Sequence, residues 1–278
     1  MRWSVISYPV VGPVFHIGPL SLSWYSLAYS GGLIVMWFCA QTIAKRDSYW
    51  NGTSRPTPSS VDYLILYIFL GTAVGGRLGE VIIKPAIYLD RPIEILEVWH
   101  GGGLFFGAMI GACIAVWIFA RRHRCSFWTA LDICSPGGAI GVGLGRLANF
   151  IRPELWGRPS NVPWAMVFPG AGPVPRHPSQ IYEAVLEGFV VFVVLSFAIR
   201  LGALKRPGFV AGLFGLGYGV ARIFCELFKE PDPDLFNFSS GLTMGMLLSL
   251  PMVAAGALVM ALASYHRLEP RVDDRGSP

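Results

Sequence analysis

The stretch Asp132–Asn149 reads Asp-Ile-Cys-Ser-Pro-Gly-Gly-Ala-Ile-Gly-Val-Gly-Leu-Gly-Arg-Leu-Ala-Asn, and the topology of this 278-residue chain turns on it. It is weakly hydrophobic and carries Arg146 beside five glycines, at 137, 138, 141, 143 and 145. Around it lie six uncharged or nearly uncharged runs, near 20–44, 62–83, 101–120, 181–199, 207–228 and 235–264. Each has roughly the twenty residues that a helix needs to cross a bilayer. If 132–149 also crosses, the chain has seven spans.

Charge counting decides whether it crosses. With seven spans and the N-terminus outside, twelve of the 22 Lys and Arg fall in cytoplasmic segments and seven in outer ones. The remaining three, Arg77, Arg146 and Arg222, fall within spans. An excess of positive charge inside is the usual bias of membrane proteins. Treating 132–149 as a loop would put basic segments on both sides. The expected fold is therefore an all-α polytopic membrane protein, one integral domain over 1–278, with about seven transmembrane helices. The Pro-rich region 151–179 is expected to form a small extracytoplasmic cap, and the C-terminus is expected to be cytoplasmic. The first span is too long for a signal-peptide core and reads as an anchor.

Composition agrees. Hydrophobic residues are 53%, charged residues 14%, and the mean hydropathy is +0.52. A soluble domain carries about 25% charged residues. These values exclude a disordered chain and a fibrous repeat. The net charge of +5 is explained by its placement along the membrane, so nucleic acid is not an expected partner. Five cysteines without a CxxC pair suggest neither a metal site nor a disulfide framework.

Charges inside a bilayer are costly and point to function. Here they gather at one depth. Arg77 and Glu80 sit near the outer end of the second span, and Arg146 and Asn149 near the outer end of the fourth. Glu183 and Glu187 sit in the outer half of the fifth, and Arg222 and Glu226 near the outer end of the sixth. Tyr218, Arg222 and Glu226 repeat every four residues and share a helix face. So do Gln180, Glu183 and Glu187. Pro153 should stop the fourth helix and leave Glu154 in the turn after it. Internal ion pairs, Arg77 with Glu80 and Arg222 with Glu226, are one reading of these charges. The other is a headgroup site, because the planar guanidinium fork matches phosphate oxygens.

The residues resemble a known family, the bacterial prolipoprotein diacylglyceryl transferases, over nearly the whole chain. The strongest match is Gly143-Leu144-Gly145-Arg146-Leu147-Ala148-Asn149-Phe150 followed by Glu154-Leu155-Trp156-Gly157-Arg158. Trp24-Tyr25, Gly75-Gly76-Arg77-Leu78-Gly79, Arg176-His177-Pro178-Ser179-Gln180-Ile181-Tyr182-Glu183, Tyr218-Gly219 with Arg222 and Glu226, and Pro231-Asp232 add to it. The resemblance implies transfer of a diacylglyceryl group from phosphatidylglycerol to the lipobox cysteine thiol of a preprolipoprotein. A thioether forms and glycerol phosphate leaves. It implies membrane lipids and signal peptides as partners, no metal or organic cofactor, and the bacterial cytoplasmic (inner) membrane as location. By matching positions it implies catalytic roles for Arg146, Arg222, Glu154, Asn149 and Tyr25. Substrate contacts are implied for Arg146, Arg77, Tyr218, Glu226, Glu183 and His177.

One departure stands out. Where the family reads Gly-Gly-x-Ser-Phe-His-Gly-Gly, this chain reads Gly101-Gly102-Gly103-Leu104-Phe105-Phe106-Gly107-Ala108. Phenylalanine at 106 cannot accept a proton. His100 and His177 are other histidines near the outer edge. The histidine is dispensable, or another group serves, or the chain is a degenerate paralogue that binds phospholipid or signal peptide without transfer. A transporter is a weaker reading, since no internal repeat is visible and the charges avoid the midplane.

Overall fold

The computed structural model describes residues 6–7, 15–17, 20–50, 55–95, 105–231 and 243–265. Helix starts follow local chemistry. Ser23 Oγ accepts the amide of Ser26 and begins α1, Trp24–Ala44. The run expected from Leu20 is therefore helical only from Trp24. Leu20–Leu22 instead form β3, paired antiparallel with β2, Phe15–Ile17. Thr57 caps α2, Pro58–Ile83, with proline at its first position, where the missing N–H has no intrahelical partner to lose. That start lies one turn before the expected 62. A short α3, Pro85–Asp90, follows, and then α4, Phe105–Arg122.

Helix α5, Phe127–Ile151, contains the whole glycine-rich stretch and ends two residues before Pro153. The next rod, Ser179–Arg200, is continuous but changes pitch: α6, Ser179–Glu183, a π-helical turn, Ala184–Val190, and α7, Val191–Arg200. Helices α8, Phe209–Glu226, and α9, Met244–Tyr265, complete the set. The chain is mostly helical, and five helices are long and apolar enough to cross a membrane: Trp24–Ala44, Pro58–Ile83, Ser179–Arg200, Phe209–Glu226 and Met244–Tyr265. Of the expected spans, 101–104 and 235–242 lie outside the described residues, as do His100 and the side chain of Phe106.

Pairs of helices pack through small residues. Helices α2 and α4 touch backbone to backbone, so that a Cβ on Gly75 would fall 2.8 Å from Gly111 Cα. This close packing lets dispersion hold helices together where lipid removes the hydrophobic drive. Helix α5 packs along α1, and α8 along α9. Asp132 of α5 accepts amide hydrogens from Gly208 and Ala211, both at 2.7 Å, which satisfies open donors at the start of α8.

The two ends of the bundle differ. At one end, Ala40, Leu64, Phe119, Ile133, Leu195 and Val210 form an apolar core. At the other, Arg77, Glu183, Glu187 and Glu226 are buried. The flanks present Ile34 and Phe38, each 65% exposed, and Phe197, a surface suited to lipid. In the segment between α5 and α6, β4, Met166–Val167, pairs parallel with β1, Ile6–Ser7, and Met166 also exchanges backbone hydrogen bonds with Arg176.

Candidate active site

Five ionisable side chains from three segments meet at the charged end of the bundle: Glu183, Glu187 and Glu226 are buried, and Arg146 and Arg222 are partly exposed. Arg146 reaches from the last turns of α5. Its Nε donates to Glu187 Oε2 at 3.0 Å, and its Nη1 lies 3.4 Å from Glu183 Oε2. Arg222 reaches from α8 to the other oxygens of the same two carboxylates. It pairs with Glu183 Oε1 and lies 3.4 Å from Glu187 Oε1. One turn further along α8, Glu226 Oε2 stands 2.8 Å from Arg222 Nη2. Tyr218, one turn earlier, bonds with Arg146.

The carboxylates of Glu183 and Glu187 are 0% exposed, while the two arginine side chains keep 17% and 12%. The carboxylates thus hold the guanidinium groups from behind and leave one face open. The π-helical turn carries Glu187 next to Glu183. Such turns recur at functional sites. Its Gly188 lets the rod approach α5 so closely that a Cβ there would fall 2.7 Å from Gly143 Cα. That contact lies one turn below Arg146. The ion pairs read from sequence, Arg222 with Glu226 and Arg77 with Glu80, both form.

A second cluster involves α1 and the turn after α5. Tyr25 donates to Glu154 Oε2 at 2.5 Å and accepts from Asn149 Nδ2 at 2.5 Å. Arg152 lies over the Tyr25 ring and 3.5 Å from Glu154 Oε1. Leu155 adopts a left-handed backbone conformation (φ 56), which turns the chain after Glu154. Residues far apart in sequence fix this turn. Gln180 Nε2 donates to the Glu154 carbonyl at 2.7 Å, and Ser179 Oγ to that of Leu155 at 3.1 Å. The motif before α6 therefore props up the motif after α5.

His177 lies just before α6, and its described contacts are aromatic rather than with the arginines. Its Nδ1 is 3.1 Å from the Tyr182 hydroxyl, which accepts from Trp164 Nε1 at 2.6 Å. Its ring meets the edge of Phe228, and burial lowers its proton affinity below that of an ordinary imidazole. The ring lines an apolar cavity of about 380 Å³ with Trp164, Tyr182, Phe224 and Phe228. A second cavity of about 320 Å³ adjoins it through Leu186 and Phe224, between α7 and α8.

Arg77 also stands apart. Its Nε donates to the Ile95 carbonyl at 3.1 Å, its Nη2 bonds the Glu94 carbonyl, and Tyr88 lies under it. It clasps the segment after α3.

Two groups carry more of this arrangement than their sequence context suggests. Glu187 bonds both arginines. Lys229 follows α8 beside Arg222. Burial, and then the neighbouring Arg222 charge, hold its ammonium below the usual lysine range.

The model for the family described as prolipoprotein diacylglyceryl transferase matches residues 13–262. A protein of Methylocella silvestris is 53% identical over 265 residues, covering 95% of this chain and 97% of its own. One of Beijerinckia indica is 48% identical, covering 95% and 98%. One of Nitrobacter winogradskyi is 45% identical, covering 99% and 95%. All three are named phosphatidylglycerol–prolipoprotein diacylglyceryl transferase. A mostly helical chain with five helices long and apolar enough to cross a membrane thus belongs to the prolipoprotein diacylglyceryl transferase family.

Proposed function

We propose that the protein transfers the diacylglyceryl group of phosphatidylglycerol to the lipobox cysteine thiol of preprolipoproteins, forming a thioether and releasing glycerol phosphate. The observation that carries this reading is the convergence of Arg146 and Arg222 on shared buried carboxylates, each with one face left open. Sulfur attack on a glyceryl carbon drives negative charge onto the departing phosphate. Two fixed cations at that phosphate stabilise the charge as it develops. Glu183, Glu187 and Glu226 orient them, and Tyr218 braces Arg146. Tyr25, Asn149 and Glu154 form a hydrogen-bonding wall for the glycerol headgroup. Arg77 shapes the edge of the site, and His177 marks the cap-side cavity. The apolar grooves along α7 and α8 suit an acyl chain or an apolar signal-peptide helix.

In the same reading, α4 and α5 cross the membrane together with the five apolar helices, making seven spans. The pairing of β1 with β4 keeps the segment before α1 on the cap side, as an even number of crossings, α1, α2, α4 and α5, requires. The cap then faces away from the cytoplasm, the C-terminus faces it, and the membrane is the bacterial cytoplasmic one.

The test uses purified protein, phosphatidylglycerol vesicles and a lipobox peptide. Mass spectrometry should find a diacylglyceryl thioether on the peptide and one glycerol phosphate released per thioether. A peptide with serine in place of the cysteine should give neither. Phenylalanine at 106 favours a second reading, a paralogue that binds lipid or signal peptide without transfer. Peptide or lipid binding without thioether would select it.

A further inference from the structure

Helices α8 and α9 pack along each other, and one face of α9 makes the contact. Gly245, Ser249, Val253 and Gly256 follow one another at helical spacing and line that face. A Cβ on Gly219 of α8 would meet Val253 Cγ2 at 2.6 Å and the Ser249 carbonyl oxygen at 3.3 Å. A Cβ on Gly256 would meet Leu216 N at 2.5 Å and Gly212 O at 2.7 Å. At Gly256 the obstacle is backbone, and the glycine serves close helix packing.

Gly245 is different. The three atoms nearest to a Cβ there are Glu226 Cδ, Oε1 and Oε2, at 2.6, 2.6 and 2.7 Å. The place of the absent side chain is filled by one carboxylate. That carboxylate is buried, and its Oε2 stands 2.8 Å from Arg222 Nη2. The first turn of α9 is itself held in place. Thr243 Oγ1 accepts the Met246 amide hydrogen at 3.3 Å, and Ser249 Oγ donates to the Gly245 carbonyl at 2.7 Å. Glu226 is thus clasped between a guanidinium on its own helix and a notch in the next one.

We infer that Gly245 is a positioning residue for Arg222, acting through the carboxylate of Glu226. This assignment rests on the transferase reading above. Gly245 touches neither the phosphate nor the thiol in that reading. It supplies the space in which Glu226 stands, and Glu226 sets the third side of the Arg222 guanidinium. Glu183 and Glu187 set the other two.

The geometry gives the consequence of a methyl group at 245. Non-bonded heavy atoms settle at roughly 3.5–4.0 Å, so the carboxylate would retreat by about 1 Å. Either the ion pair at 2.8 Å opens, or Arg222 follows Glu226. In the second case Arg222 moves against Glu183 and Glu187, which it shares with Arg146. Both outcomes displace the cation that meets the developing phosphate charge.

The experiment compares wild type, Gly245→Ala, Glu226→Ala and the double variant, with phosphatidylglycerol vesicles at saturation and a lipobox peptide. Gly245→Ala is expected to lose roughly 100-fold in thioether formation, the effect of a 1 Å misplacement. Glu226→Ala empties the notch, so adding Gly245→Ala to it should change the rate by no more than about 3-fold. The thermal midpoint should show the same masking: the methyl group lowers it beside Glu226 but not in the Glu226→Ala background. If Gly245→Ala alone does not fold, the double variant should. Near-normal transfer by Gly245→Ala overturns the assignment while leaving the transferase reading intact. So do equal losses in both backgrounds, or a double variant that folds no better than Gly245→Ala, since these make Gly245 a packing residue like Gly256. No product from wild type overturns the transferase reading, and this assignment with it.

Discussion

Arg146 and Arg222, on different helices, grip opposite oxygens of the same two carboxylates. Arg146 takes Oε2 of Glu183 and of Glu187, and Arg222 takes Oε1 of each. Neither arginine can shift without loosening the other. The two guanidinium groups are therefore held in one shared network with Glu183 and Glu187.

At Arg146, truncation to alanine would leave Glu183 and Glu187 buried with fewer partners, at a cost of about 3–5 kcal/mol in stability. Arg146→Lys is the cleaner test, since it keeps the charge and loses the fork. Thioether formation should fall about 100-fold or more, with phosphatidylglycerol affinity reduced and the thermal midpoint little changed. Near-normal turnover by Arg146→Lys would remove Arg146 from the phosphate.

Tyr25 links Asn149 to Glu154 through a single hydroxyl. Tyr25→Phe removes only that oxygen. Folding stability should drop by about 1 kcal/mol, the net worth of an ordinary hydrogen bond. If the cluster holds the headgroup, transfer should drop far more, on the order of 100-fold. Equal, small effects on stability and rate would reduce the cluster to a structural brace.

Much of this site was legible in the chain. Two arginines, an asparagine and acidic residues at matching depths in several apolar runs foretold a shared polar layer, because lipid tolerates such groups only when they meet. The four-residue repeat through Tyr218, Arg222 and Glu226 foretold a common face. The partnerships were not legible. Glu187 bonds both arginines, yet a helical pattern treats it as equivalent to Glu183, and the π-helical turn that carries it has no sequence mark. Arg77 had the same depth and charge as the other two arginines, but backbone carbonyls at 94 and 95 claim it. Tertiary neighbours decide such choices. The early end of the Leu20 run, in β3, reflects pairing with Phe15–Ile17, a contact outside any helical period.

The charge distribution makes a separate prediction about sidedness. A membrane-impermeant thiol reagent applied to intact cells, in a background without native cysteines, should label Ser160→Cys, in the segment between α5 and α6. It should reach Ser48→Cys, between α1 and α2, only after lysis. The opposite pattern would reverse the orientation and move the arginine pair to the cytoplasmic leaflet.

The account stands or falls on whether the chain works with phenylalanine at 106. The network of Arg146 and Arg222 with Glu183, Glu187 and Glu226 that the proposed reaction would use is in place, and a thiol is acidic enough to need only modest help from a base. Thioether formation by wild type and Phe106→His should therefore be measured side by side, with phosphatidylglycerol and one lipobox peptide. The account predicts clear product from wild type, with no more than a few-fold gain in the variant. No product from wild type beside abundant product from Phe106→His would contradict it, and would make this chain a binder that has lost its base.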